Sequence, residues 1–138
     1  MMSLENIFVD SSAWVALTDK DDANHKEAAS IYPLLLKNKN NLTTSNLVIA
    51  ETYILILNEL RPQAALNFLA RLKASPRILR VYSSEDIEAE VQEILSRVIG
   101  QDFSYTDAVS FVMMKRQKIK RAFCFDKHFV IAGFVNVQ

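Results

Sequence analysis

Four carboxylates stand where an acid must either find a partner or do chemistry. Asp10 follows Ile7-Phe8-Val9 and Asp126 follows Phe123-Cys124-Phe125, so two short apolar runs end in the same residue type. If both runs are strands and parallel neighbours, the two carboxylates project from one edge of a sheet. An Asp after a strand also makes turns and caps helices, and that reading competes. Glu51 has Leu47 and Val48 at i−4 and i−3 and Ile54 and Leu55 at i+3 and i+4, so it shares their helix face. Burying an ionised carboxylate there costs several kcal/mol unless it is paired or bound to a metal. The alternative is a helix that turns Glu51 to a solvated margin or pairs it with Arg61 or a nearby Lys. Asp107 stands three residues after Ser104, the spacing of a capping box. Local capping and a place at the sheet edge are both open to it, and one carboxylate serves both poorly.

Converging carboxylates repel and shift one another's pKa, a conflict that a hard divalent cation removes. Mg²⁺ or Mn²⁺ takes such oxygen ligands in octahedral geometry and keeps several waters. Neither His nor Cys stands at ligand spacing around these positions, which argues against zinc. A cation held this way binds a phosphate oxygen and lowers the pKa of a bound water. The chemistry implied is hydrolysis of a phosphodiester or phosphomonoester. Lys plus Arg and Asp plus Glu are 16 each, a net charge of zero that excludes a strongly polybasic nucleic-acid binder. With the four acids set aside, however, basic residues outnumber acidic ones by four. Lys115, Arg116, Lys118, Lys120 and Arg121 crowd one segment that could track a nucleic-acid backbone. The same cluster reads as a solvated helix C-terminus, favoured by the macrodipole.

The elements that must position these groups alternate. Strands are expected at Ile7–Val9, Leu42–Thr44, Ile78–Tyr82 and Ala122–Phe125, with a last edge strand over Phe134–Val137. Between them lie a helix capped by Ser11-Ser12 and running to Leu17, and another from His25 to Lys37 with Ala28, Ile31, Leu34 and Leu35 inward. Leu47 to Leu60 is the most hydrophobic helix. Pro62 opens the next, with Ala65, Leu66, Leu69 and Leu72 on one face, and Pro76 breaks it. Ser83-Ser84 opens a long amphipathic helix ending at Gly100, with Ile87, Val91, Ile94, Leu95 and Val98 inward, and Ser104 to Lys118 forms another. Strands alternating with helices give right-handed crossovers and a mostly parallel sheet covered on both faces, a three-layer α/β/α sandwich. Ligands bind such sheets beyond the carboxyl ends of the strands. The chain's 138 residues suit one domain, residues 1–138, and half of them are hydrophobic, enough for a packed core. Two Gly and three Pro disfavour a turn-rich all-β fold, and one Cys excludes an internal disulfide. The apolar runs are too short to span a bilayer, so a cytoplasmic protein without a membrane partner is expected.

The motifs resemble those of the PIN-domain metal-dependent nucleases, particularly small VapC-type toxins. They are Phe8-Val9-Asp10-Ser11-Ser12, Thr43 through Thr52 with Glu51, Tyr105-Thr106-Asp107-Ala108, and Phe125-Asp126-Lys127-His128-Phe129 followed by Gly133-Phe134. Each is short, but the four occur in order over nearly the whole chain. The resemblance implies a parallel-sheet α/β/α fold and endoribonuclease activity with Mg²⁺ or Mn²⁺. It makes Asp10, Glu51, Asp107 and Asp126 the catalytic metal ligands, and Ser12 a hydroxyl supporting the metal or its waters. Asp102 is a further acid outside this set. An RNA substrate, a protein antitoxin and a homodimer are the partners it implies. The alternative is a non-catalytic RNA- or protein-binding module that keeps the fold. A phosphatase with an Asp nucleophile fits less well, because Ser12 stands where a second Asp is wanted. His25 and His128 lack a triad partner or ligand spacing and are read as surface or packing residues, with substrate contact open to His128. Cys124, Trp14, Tyr32, Tyr53, Phe111, Met113 and Met114 are read as packing.

Overall fold

The structure is a computed structural model that describes residues 5–38 and 40–137. Its centre is a five-stranded, wholly parallel sheet in the order β3-β2-β1-β4-β5. The strands are β1 (Asn6–Val9), β2 (Asn41–Ser45), β3 (Ile78–Val81), β4 (Arg121–Phe123) and β5 (Val135–Asn136). The helices are α1 (Ser11–Thr18), α2 (His25–Lys37), α3 (Asn46–Glu59), α4 (Pro62–Ala74), α5 (Glu85–Arg97), α6 (Tyr105–Arg116) and α7 (His128–Ile131). The chain steps from β1 to β2 to β3 in one direction, then crosses back to β4 and β5. With right-handed crossovers, that reversal puts α1 to α4 on one face and α5 to α7 on the other. This is the expected α/β/α sandwich. Among the described residues, no helix is long and apolar enough to cross a membrane.

Strand composition follows position in the sheet. Ile7, Phe8 and Val9 of central β1 are fully buried, because helices cover both faces. Phe8, Phe123 and Phe129 are the largest fully buried side chains, each contributing roughly 1.5–3 kcal/mol by burial. The buried hydroxyls of β2 are satisfied. Thr43 Oγ1 donates to Asn6 Oδ1 at 2.8 Å, and Thr44 Oγ1 donates to the Val9 carbonyl at 3.1 Å. Edge strands β3 and β5 are short and expose Leu79 and Val135.

Several boundaries depart from the sequence expectation for local reasons. Asp10, rather than Ser11 or Ser12, caps α1. Helix α6 stops at Arg116 instead of Lys118. The Lys118 amide donates to the Lys115 carbonyl at 3.2 Å and the Ile119 amide to that of Met114 at 2.8 Å, while Lys118 takes a left-handed φ of 57°. That is a Schellman stop with Lys where Gly is usual. Helix α5 ends at Arg97, short of Gly100, as the β-branched pair Val98-Ile99 leaves the helix. Strand β4 ends at Phe123, because the Phe125 amide turns to the Ser12 hydroxyl at 2.9 Å. Leu34 and Leu66 are exposed rather than inward, and Phe68 fills the face assigned to Leu66. Helix α7 was not anticipated. Gly133, at φ 100°, turns the chain from it into β5.

Candidate functional site

The sheet order reverses between β1 and β4, so a crevice opens beyond the carboxyl ends of these two strands. Asp10 leaves β1 at this point, its amide donating to the Phe123 carbonyl of β4 at 3.1 Å. Asp126 lies three residues past the end of β4, so both carboxylates rise from the same edge, as expected. Asp10 is 1% exposed. Its Oδ2 accepts from the Ser12 amide at 3.3 Å and the Ser12 hydroxyl at 2.9 Å. The same hydroxyl accepts from the Phe125 amide, so Ser12 ties the start of α1 to the loop carrying Asp126. The other oxygen of Asp10, Oδ1, is buried with no hydrogen-bond donor.

Asp107 reaches the crevice from the first turn of α6. Its capping box with Ser104 is formed in both directions. Oδ2 accepts from the Ser104 amide at 3.2 Å and faces His128 Nδ1 at 2.8 Å. Both contacts fall on one oxygen, which leaves Oδ1 for another partner. Capping and a place in the cluster thus coexist, contrary to expectation. The His128 backbone amide also donates to Asp126 Oδ1 at 2.9 Å. Asp107, Asp126 and His128 each offer a ligand atom within 4.8 Å of the others.

The mutual effect of these charges is large at Asp10. Its carboxyl is pushed up to about 8, first by burial and then by the charge of Asp126, with Asp107 adding to it and the Ser12 bond opposing. Burial, with the same three acids, also pushes the Cys124 thiol up, which keeps it an inert neighbour of the site. An unpartnered buried carboxylate oxygen surrounded by further acids has the donor set of a hard divalent cation.

Glu51 stands apart. It is half-buried on α3, whose inward face is Val48, Thr52 and Ile56, while Ile54 and Leu55 are exposed. Of the apolar face inferred for it, Val48 is buried while Ile54 and Leu55 are exposed, so that face lies only partly in the core. The helix turns it to a margin, where it accepts from the Ser11 hydroxyl at 2.5 Å rather than from Arg61 or a Lys. Asp126 and Asp107, not Glu51, are the charges that act on Asp10. Three of the four acids are thus brought together, with Glu51 tethered to the residue next to Asp10.

The basic segment is not part of this edge. Lys118, Lys120 and Arg121 lie where β4 begins, at the opposite end of the sheet. Arg121 pairs with Ile7, three residues before Asp10, and a rise of about 3.3 Å per strand residue puts it roughly 10 Å from that acid along the strand. Two of the five cations are also paired: Arg116 with Asp86 and Glu90, and Arg121 with Glu5. His25 is structural, its Nδ1 lying 2.7 Å from the Ala16 carbonyl. His128 is the residue that sequence reasoning undervalued. No His-ligand spacing pointed to it, but Asp126-Lys127-His128 allows an Asx turn, which brings the residue two after Asp back beside its carboxylate.

Residues 7–135 match the PIN domain family. Over 137 residues the chain is 35% identical to the 23S rRNA-specific endonuclease VapC20 of Mycobacterium tuberculosis, covering 96% of this chain and 98% of the relative. It is 28% identical to ribonuclease VapC1 of Aquifex aeolicus, over 93% of this chain and 86% of that one. The crystal structure of VapC20, described as a sarcin-ricin loop cleaving toxin, superimposes with a TM-score of 0.86 at 34% identity, over 95% of this chain and 98% of that one. VapBC2 from Rickettsia felis, solved bound to a DNA fragment from its promoter, shares the fold with a TM-score of 0.70 at 14% identity, over 96% and 97% of the two chains.

Proposed function

The chain belongs to the PIN-domain family, among its VapC-type members, and from that premise we propose that it is a divalent-metal-dependent endoribonuclease, the toxin of a toxin–antitoxin pair. The observation that carries this reading is the buried, unpartnered Oδ1 of Asp10, on whose carboxyl the charges of Asp126 and Asp107 act. Residues 1–138 form the catalytic unit, working in the cytoplasm beside its RNA. Mg²⁺ or Mn²⁺ is the cofactor, held by Asp10, Asp107 and Asp126, with Glu51 adding charge at the rim. A bound cation of this kind polarises a phosphoryl oxygen and lowers the pKa of a water.

The chain's own residues prepare the rest. Ser12 fixes one oxygen of Asp10 through two hydrogen bonds, so that the other points into the cluster. Asp126 is half-buried, and its Oδ1 is aimed by the His128 amide. Its open side takes the proton of the attacking water as the phosphate reacts. The bond from phosphorus to the 3′-oxygen breaks as the bond to water forms, and the departing 3′-oxygen takes a proton from solvent, leaving a 5′-phosphate and a 3′-hydroxyl. Because VapC20 acts on 23S rRNA, that RNA is the first substrate to offer. The exposed Ile54, Leu55, Leu60 and Leu66 of α3, α4 and their turn support self-association into a homodimer.

The test incubates the purified chain with 23S rRNA in Mg²⁺, in Mn²⁺ and in EDTA, beside the Asp10→Asn variant. Cleavage that needs the metal and disappears in the variant is expected. Equal cleavage in EDTA, or full activity of Asp10→Asn with metal present, refutes the proposal. RNA binding without cleavage under every condition would favour the non-catalytic module instead.

A further inference from the structure

One residue touches two of the clustered acids by separate means. The His128 backbone amide donates to Asp126 Oδ1 at 2.9 Å, and its ring Nδ1 lies 2.8 Å from Asp107 Oδ2. The two contacts are independent, since a side-chain substitution removes the second and spares the first. The ring is held from the side by Phe103, edge to face at 5.6 Å and 81°. Phe103 itself packs edge to face on Phe111 of α6 at 5.1 Å, so the imidazole is braced against the helix that carries Asp107.

Asp107 is therefore gripped on one oxygen from two directions. The Ser104 amide approaches Oδ2 from the start of α6, and His128 approaches it from the loop after β4. A carboxylate gripped in this way cannot rotate to offer Oδ2 elsewhere and presents Oδ1. We propose that His128 is a positioning residue: its Nδ1–H donates to Asp107 Oδ2 and so fixes Asp107 Oδ1 toward the cation. In this role the ring is not itself a ligand, because the nitrogen nearest the acids is already used. The inference rests on the metal-dependent reading above and deepens it. Partners behind a metal ligand typically change metal affinity by about 10–100-fold when removed.

The test compares His128→Asn with His128→Leu. Asn and Leu have nearly the same shape, and both lose the imidazole edge against Phe103. They differ in that Asn keeps a donor near the place of Nδ1. Mn²⁺ alone is titrated calorimetrically into the full chain, with circular dichroism melts in EDTA to show that both variants fold. His128→Leu is expected to bind Mn²⁺ about 10–100-fold more weakly than the unchanged protein, and His128→Asn to recover most of that loss. Unchanged affinity in His128→Leu overturns the inference. Equal weakening in both variants overturns it too, since His128 would then act as a ligand. Absence of Mn²⁺ binding in the unchanged protein sinks the metal reading and this inference with it.

Discussion

Replacing Asp10 with asparagine separates what the site costs the fold from what it does for catalysis. Asp10 is buried and its carboxyl is pushed up to about 8, with burial the first cause and Asp126 the second. An unfolded Asp titrates near 3.9. Between these values the folded, metal-free protein holds a proton that the unfolded chain has released. Stability therefore falls as pH rises through this window. Below about pH 4 the Asp10 contribution is fully present, and above about pH 8 it is lost. The window spans about four pH units at about 1.4 kcal/mol each, a ceiling of roughly 6 kcal/mol. Water entry and side-chain relaxation lower what is realised to about 2–4 kcal/mol, or on the order of 10 °C in Tm for a chain of this size.

Asp10→Asn carries no charge, and its amide oxygen can still accept both Ser12 bonds. Its nitrogen replaces the oxygen that lacks a donor and offers its own hydrogens toward Asp126. The variant should be more stable than the unchanged protein near pH 8 in EDTA, with a flatter profile from about pH 5 to about pH 8. Adding Mn²⁺ should raise the Tm of the unchanged protein and leave the variant in place. Circular dichroism melts across the series measure all of this. Since both proteins share every titrating group outside the cluster, the difference between them reports Asp10 together with its coupling to the acids beside it. Parallel pH profiles, or a variant less stable than the unchanged protein near pH 8, would refute the reasoning.

Other positions make narrower demands. Ser12→Ala removes the hydroxyl that joins Asp10 to the Phe125 amide, and should cost about 1–3 kcal/mol in denaturant unfolding while lowering Mn²⁺ affinity. Lys118→Gly relieves a left-handed residue at the end of α6 and should raise stability by about 0.5–1 kcal/mol, read as a higher Tm. Lys115→Ala with Lys120→Ala should leave RNA cleavage within about twofold, because these cations lie farther from the acids than the roughly 8 Å over which salt screens charge. A tenfold loss of rate would return the basic segment to the substrate path.

Periodic apolar runs made the fold legible. A strand buried on both faces must be continuously hydrophobic, and Ile7-Phe8-Val9 has no other reading of that length. The strand-and-helix alternation then leaves few topologies. What escaped depends on single backbone hydrogen bonds. The end of β4 is set by Ser12, more than a hundred residues away in the chain, and the end of α6 by one left-handed lysine. Neither is encoded in a local propensity.

The site divides along the same line. Asp10 and Asp126 could be placed because Asp10 directly follows β1 and Asp126 lies three residues past β4, and neighbouring parallel strands end at the same edge. Helix residues carry less information, because their direction depends on how the helix rolls. Glu51 sits among apolar residues in sequence, but α3 buries Val48, Thr52 and Ile56, so Glu51 goes to the margin and finds Ser11. In sequence, Asp107 is open to its cap or to the sheet edge, and the structure realises both, because a carboxylate has two oxygens and the cap uses only one. His128 is the extreme case. Its role arises from a turn that brings its amide to Asp126 and from a helix start that brings Asp107 to its ring. The chemistry of the edge therefore depends on a pairing between residues 21 apart, which neither motif records. A carboxylate motif identifies the atoms available to a cation, and the hydrogen bonds behind them decide which of those atoms are offered.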